Sequence, residues 1–502
     1  MKMLPFGSIF FRGYNMKKKI DVKKVIIVGG GTAGWMTAAM LSKLLGTQIE
    51  ITLVESTTVG TVGVGEATIP SIQLFNSTLG INETDFVKAT QASFKLGIQF
   101  EGWGNEDSDY MHAFGVIGKD LGLSSFHYYW LQQAESAKKF WDHSLNYQTA
   151  KANKFSLTKT QNEELAYAYH FDANLYAQYL KKISLSQGVK CVEGFISEVR
   201  LNDESGFIQE IELETGEILS ADLFIDCSGF KGLLIEQALN TGFDDWSDYL
   251  PCDHAWAVPS EKIDSIKPYT RSIARDAGWQ WQIPLQHRVG NGLVFSSTYM
   301  SPDTAKKKLI ASLPSKPLAE PKLIKFKTGM RKKQWNKNCV AIGLSSGFLE
   351  PLESTSIHLI QSAILRLIQL FPKTITTEIE DEFNHLSRME FEEIRDFIIL
   401  HYHLNNRRTS FWKYCREMDI PESLSRRIRL FTKHARTNIG NQELFSATAW
   451  QQVMIGQGII PENNHPISNV ANEKQTKAFM QHNKLRIREI VKGYESHESF
   501  FI

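Results

Sequence analysis

Lys24-Val25-Ile26-Ile27-Val28 runs directly into Gly29-Gly30-Gly31-Thr32-Ala33-Gly34, and Trp35-Met36-Thr37-Ala38-Ala39-Met40-Leu41 follows. A short apolar run ending in glycines predicts a buried strand, and the stretch after it a helix. Gly29 suits the tight turn, Gly31 lets the backbone approach a pyrophosphate, and Gly34 lets the helix pack close to the strand. With Thr32 and Ala33 the loop opens a helix whose free N–H groups attract phosphate. A second strand pattern, Ile49 to Val54, ends in Glu55. That acid lies about 20 residues past the loop, where a ribose-binding carboxylate belongs. The stretch therefore predicts a dinucleotide site; the plainer alternative is a strand–turn–helix with a solvated Glu55.

The rest of the chain is long enough for two or more subdomains: 502 residues, 42% hydrophobic, 22% charged, net charge +1. Near neutrality gives no reason to expect nucleic acid or an anionic membrane as partner. No apolar run reaches the length of a membrane span. Five cysteines without a C-x-x-C pair argue against a disulfide framework and for a reducing cytoplasm. Residues 1–20 have apolar runs too short for a signal peptide, with the charges on the wrong side. They read as a loose extension, and Met16 as the more natural start.

The expected fold is α/β, with a discontinuous Rossmann dinucleotide domain over 21–350. Returning strands are expected at Ile218–Asp226, running into Cys227-Ser228-Gly229-Phe230, and at Asn338–Ile342, running into Gly343. A hairpin should turn at Asn202–Gly206. Strand-rich sequence at about 85–210 and 250–330 predicts an interleaved β-sheet lining a ligand cavity. From 351 to 502 the chain reads as a helical substrate-side cap. Ile357, Ile360, Ile364 and Ile368 recur at helical spacing there, and further helices are expected at 380–403, 422–435 and 473–492.

Three more motifs occur in order: Gly63-Val64-Gly65-Glu66-Ala67-Thr68-Ile69-Pro70, then Trp279-x-Trp281-x-Ile283-Pro284, then Gly347-Phe348-Leu349-Glu350-Pro351-Leu352-Glu353-Ser354-Thr355. From about Lys23 to about Pro461 the chain resembles the flavin-dependent tryptophan halogenases. The resemblance implies a glutathione-reductase-like FAD domain. It also implies a two-component reaction in which FADH2 comes from a separate reductase. Reduced flavin and oxygen turn chloride or bromide into hypohalous acid, which reaches an aromatic substrate through a tunnel. Gly29, Gly31, Thr32, Ala33, Gly34 and Glu55 would hold the adenosine half. Gly65, Glu66 and Ala67 would belong to a flavin-covering strap, and Gly343 and Leu344 would also contact the cofactor. Glu353 matches the family's catalytic glutamate, and Ser354 and Thr355 its halide-binding turn. Trp279, Trp281, Ile283 and Pro284 would line the tunnel, where bulk stops the flavin from acting as a hydroxylase. His112 and Phe114, in Tyr110-Met111-His112-Ala113-Phe114-Gly115, match a segment that contacts the indole.

Two departures stand out. The family's catalytic lysine is expected about four residues after Ala-Thr-Ile-Pro, where this chain has Gln73 or Leu74. Lys88 and Lys95 fall beyond the next turn; Lys95, in Ser93-Phe94-Lys95, resembles a different family position and is not taken as the replacement. In the cap, the paired tyrosines that grip free tryptophan are absent from Asn441-Gln442-Glu443-Leu444-Phe445-Ser446-Ala447, so an apolar or larger indole, phenol or pyrrole is expected. His401-Tyr402-His403 reads as a packed or solvated pair, and no metal site is expected. A flavin monooxygenase or oxidase that has lost halogenation, and a non-catalytic flavin-binding protein, are the competing readings. Oligomeric state is open, a homodimer included.

Overall fold

The computed structural model describes residues 21–56, 65–133, 137–158, 164–437, 440, 443–470 and 472–501. The extension at 1–20, Gly63, Val64, Asn441 and Gln442 lie outside these residues.

The strand Lys24–Val28 is central in a six-stranded sheet. Glu50–Glu55 and Leu223–Asp226 flank it, both parallel. Lys190–Glu193 and Cys339–Ala341 extend the sheet in parallel, and Trp335–Asn336 closes one edge as an antiparallel partner of Cys339–Ala341. A parallel sheet is covered on both faces, which is why Val25 to Val28 can all be apolar. The helix Thr32–Leu45 crosses the sheet with Gly34 to Ser42 buried.

Ile218–Asp226, read above as one strand, is two. Ile218–Ser220 pairs with Ile208–Leu213 in an outlying antiparallel sheet, whereas Leu223–Asp226 joins the central one. Asp222 makes the break, because its carboxylate accepts the Lys23 and Lys24 N–H groups at 2.9 and 2.8 Å. The expected hairpin is present, with Ile196–Leu201 antiparallel to Ile208–Leu213 and Gly206 N–H donating to the Asn202 carbonyl.

A seven-stranded sheet forms the second layer, in the order Lys322–Lys325, His254–Glu261, Arg288–Phe295, Gly278–Pro284, Thr270–Arg275, Gly97–Glu101, Asp109–Ala113. All neighbours are antiparallel except Thr270–Arg275 and Gly97–Glu101. Glu66–Ala67, Ala168–Phe171 and Ser93–Lys95 form a separate three-stranded antiparallel sheet with Ala168–Phe171 in the middle.

The region from 351 onward does not form a single cap. Ser356–Gln369 buries Ile357, Ile360, Ala363, Ile364 and Leu367 in the same core as Trp35 and Met36 of the dinucleotide domain. Thr377–His403 spans two cores: Phe383 belongs to that first one, while Phe391 to Tyr402 pack with Trp279 and Trp281. Ser410–Glu417, Glu422–His434 and Ala447–Gly456 complete the second core, and Phe500 and Phe501 return to the first. Each helix goes where its apolar stripe finds a complementary face, so chain order does not divide the cores. No helix among the described residues is long and apolar enough to cross a membrane.

Candidate active site

Pro351 opens a single 3-10 turn, Pro351–Glu353. Ser354 follows in the left-handed region at φ +61°, and the helix Ser356–Gln369 begins two residues later. No side chain caps that helix. It is held by its buried face, where each Ile or Leu contributes about 1.5–3 kcal/mol. Its first N–H groups therefore keep the positive end of the helix dipole open to an anion. The Thr355 hydroxyl is buried there with no partner among the described residues.

Glu353 points into the interior and is 1% exposed. His112 Nδ1 lies 2.7 Å from one carboxylate oxygen and His401 Nε2 2.8 Å from the other. Burial pushes the carboxyl up, but the two imidazoles outweigh it and hold Glu353 at about 2. His401 is oriented from behind: its Nδ1 lies 2.7 Å from the Tyr110 hydroxyl, and Phe100 stacks on the ring at 4.4 Å. His401 Nε2 and the carboxylate oxygen are close without the alignment of a hydrogen bond.

Lys95 completes the group. Its side chain is fully buried, and its Nζ donates to Ser354 Oγ at 2.7 Å and to the Thr68 carbonyl at 3.0 Å. The Phe114 ring centroid is 5.3 Å away. Burial pushes the ammonium down to about 7, against the pull of Glu353.

The two tryptophans wall this region. Both lie in Gly278–Pro284, with ring centroids 6.1 Å apart. Trp281 faces Gly292 across the strands, and a Cβ at Gly292 would come within 2.0 Å of the indole, so only glycine admits that ring. Trp279 Nε1 donates to Glu350 at 2.7 Å, which ties the wall to the Glu353 turn. Tyr402 donates to the same Glu350 oxygen at 2.6 Å. Pro284 accepts from Ser93 Oγ at 2.6 Å, and Ile283 packs against Gly65.

The glycine loop fits a dinucleotide. Gly29 has φ +119°, and a Cβ there would meet the Cys227 carbonyl oxygen at 2.3 Å. A Cβ at Gly34 would meet the Gly29 carbonyl oxygen at 1.8 Å, whereas one at Gly31 would meet no described atom within 4 Å. The open side of the loop is thus at Gly31, beside the uncapped helix start. Glu55 lies against Gly30 and is held by Lys181, by Trp35 Nε1 at 3.2 Å and by Cys191 Sγ at 3.4 Å. Gly343, at φ +81°, approaches Ala33, and Leu344 beside it is partly exposed.

The sequence profile of the family described as tryptophan halogenase matches residues 24–473. The chain belongs to this family. Xcc4156, a flavin-dependent halogenase from Xanthomonas campestris, is 45% identical over 96% of this chain and 98% of its own, with a TM-score of 0.93. BrvH, a flavin-dependent halogenase from Brevundimonas sp. BAL3, is 44% identical over 95% and 98%, with a TM-score of 0.91. The tryptophan 6-halogenase ThaL of Streptomyces albogriseolus is 35% identical over 91% of this chain and 93% of its own. The protein is therefore a flavin-dependent halogenase of the α/β fold expected, an FAD- and halide-using oxidoreductase acting on an aromatic. Two-component halogenases draw their flavin from a separate reductase.

Among the residues singled out from sequence, Glu353, Ser354, His112 and Phe114 converge around one buried point. Trp279, Trp281 and Ile283 share one face of their strand, and Trp279 is tied to that point through Glu350, whereas Pro284 lies on the opposite face with Gln282; the glycine loop with Glu55 lies on the central sheet. One expectation needs correction. Gln73 and Leu74 do not occupy the lysine's place: Gln73 donates to the Tyr167 carbonyl at 2.5 Å and Leu74 is 67% exposed. Lys95, set aside above, is the lysine that reaches the site, because its strand aims it across the turn rather than along the helix Ser71–Leu79. His401 is packed as expected, fully buried against Phe100, Trp103 and Phe397, and sequence reasoning missed only its acidic partner Glu353, which comes from another element. One signal was available for Lys95. It stands in the buried pattern Phe94-Lys95-Leu96, where an unpaired lysine is costly without a purpose.

Proposed function

We propose that Lys95 and Glu353 form the halogen-transfer centre of this halogenase and that its substrate is a neutral, electron-rich aromatic, an indole without a charged amino-acid group. The convergence of a buried ammonium and a buried carboxylate on the Ser354 turn carries this reading.

Gly29, Gly31, Thr32, Ala33 and Gly34 would hold the pyrophosphate of FAD, Glu55 the ribose, and Gly65, Glu66, Ala67, Gly343 and Leu344 the flavin. Bound as FADH2 from its reductase, the cofactor supplies with oxygen the oxidation of halide to hypohalous acid. The uncapped turn at Ser354 and Thr355 offers the halide N–H groups and a hydroxyl. Lys95 donates a hydrogen bond, and then a proton, to the oxygen of hypohalous acid, making that oxygen a better leaving group. The ring carbon bonds the halogen, the oxygen leaves as water, and the ring hydrogen departs as a proton. Glu353 is ionised as the halogen is transferred, offsets positive charge on the ring and then accepts that proton; a ring carbon bearing halogen and hydrogen is acidic enough for even a weak base. Trp279 and Trp281 supply bulk between flavin and substrate.

The wall outside His112 is aromatic. Phe397 lies 5.6 Å and Phe445 6.2 Å from the imidazole, and the two phenyl rings stack at 3.8 Å. Leu444 and Phe445 offer no hydroxyl to a carboxylate or amine. Five free cysteines suit a reducing cytoplasm.

Purified protein with FAD, a reductase, oxygen and bromide or chloride is offered indole, a phenol, a pyrrole and free tryptophan. The expected products are halogenated, with indole favoured over tryptophan in kcat/KM. Hydroxylated products only, or a preference for tryptophan, would overturn the corresponding half of the reading.

A further inference from the structure

Lys95 is the last residue of the strand Ser93–Lys95, whose one edge is paired with Ala168–Phe171. The other edge continues a parallel ladder. Ile98 is paired with Thr270 and Gln99 with Arg271, and Leu96 N–H donates to the Pro268 carbonyl at 2.7 Å. One period further back, Phe94 N–H should find the Ile266 carbonyl. It does not. His497 stands between them: Phe94 N–H donates to His497 Nε2 at 3.1 Å, and His497 Nδ1 lies 2.9 Å from the Ile266 carbonyl oxygen.

This geometry sets the tautomer. Nε2 accepts, so the ring proton is on Nδ1, where it donates to Ile266. The imidazole is fully buried, edge-on to Phe94, Phe155 and Phe501. Burial holds it down at about 4, so it stays neutral at working pH. The segment carrying it is docked on both sides: Glu495–Ser496 pairs with Lys154–Phe155, and Ile266 N–H donates to Glu498 at 3.0 Å.

We propose that His497 is a positioning residue for Lys95, an imidazole spliced into the ladder that fixes the backbone from which the lysine reaches Ser354. The inference rests on the reading of Lys95 given above. A misplacement of about 1 Å at a reacting group costs on the order of 10²-fold in rate. An edge freed at Phe94 shifts the strand carrying Lys95 without touching flavin, halide or substrate. Gln at 497 carries an acceptor and a donor at a spacing close to that of the imidazole nitrogens; Phe keeps the volume and has neither.

Full-length His497→Phe, His497→Gln and Lys95→Met are assayed with FAD, reductase, bromide and indole, and amide exchange at Phe94 is followed by mass spectrometry without cofactor. H497F should lower kcat about tenfold or more with KM for indole near the wild-type value, and Phe94 should exchange faster. H497Q should recover most of both. K95M should be inactive with Phe94 protected as in wild type. Full kcat in H497F, or equal losses in H497F and H497Q, would overturn the role of His497. Full activity in K95M would instead overturn the reading of Lys95. Should H497F not fold, His497→Asn replaces it: Asn is one methylene too short to span both backbone groups, and H497N matching H497Q in kcat would overturn the proposal.

Discussion

Lys95 Nζ lies 2.7 Å from Ser354 Oγ, although the two residues are 259 positions apart. The contact joins the strand Ser93–Lys95 to the turn that carries Glu353. It places one buried basic and one buried acidic side chain at the start of an uncapped helix.

Glu353→Gln should keep FAD binding and lose halogenation. The amide has the shape of the carboxylate but neither its charge nor its basicity. A loss of about 10² or more in kcat is expected for a group in this role. Flavin titration and product analysis decide it; more than a tenth of wild-type kcat in E353Q would remove Glu353 from the chemistry.

Lys95→Met should be inactive, while Gln73→Lys or Leu74→Lys in that background should restore nothing. Gln73 is bonded to the Tyr167 carbonyl and Leu74 faces solvent, so neither side chain can reach Ser354. Rescue by either would return the catalytic lysine to the helix after Pro70.

Activity should fall as pH rises through about 7. Lys95 titrates there rather than near 10.5 because it is buried, and its protonated form is the donor. Lys95→Arg stays charged far above this range and should flatten the fall, at a lower rate. The sign for stability is opposite. Between pH 7 and 10.5 the unfolded chain keeps the lysine proton that the folded chain has released, so this group's contribution to stability rises with pH. A pH–kcat profile and denaturant titrations of wild type and K95M check both; a flat wild-type profile from pH 6 to 9 would count against Lys95 as the donor.

Glu350→Ala should destabilise the fold by stranding two donors, Trp279 Nε1 and the Tyr402 hydroxyl. Each buried unsatisfied group costs about 1–3 kcal/mol. Burial raises Glu350 from 4.5 to about 7, against the hydrogen bonds of Tyr402 and Trp279. The folded state therefore holds its proton across that window when the unfolded state has lost it, and stability falls as pH rises from 4.5 to 7. Glu350→Gln should remove that fall and cost less than Ala. Thermal melts at several pH values measure it, and identical slopes in wild type and E350Q would refute the assignment.

Much of this architecture was open to reading because its signals are local. A strand ending at Val28, glycines at 29, 31 and 34, and an acid at 55 lie within a few turns of chain and share one purpose. The Pro351–Thr355 turn and the two tryptophans at a spacing of two are equally local. The single strand expected over Ile218–Asp226 failed because Asp222, a polar residue in an apolar run, spends its carboxylate on Lys23 and Lys24 of a distant segment. The single helical cap failed because apolar stripes show that a helix is covered, not by what.

By itself, the sequence determined the strand, glycine turn and helix at 24–45, the turn that carries Glu353 and the pair of tryptophans on one strand face, since each depends on residue type at short spacing. Only the tertiary structure decided which lysine reaches the Ser354 turn, that His112 and His401 flank the Glu353 carboxylate, and that His497 closes the ladder behind Lys95. Those depend on where separate strands and helices cross, and the crossings are set by burial summed over whole faces. No short stretch of chain carries that sum.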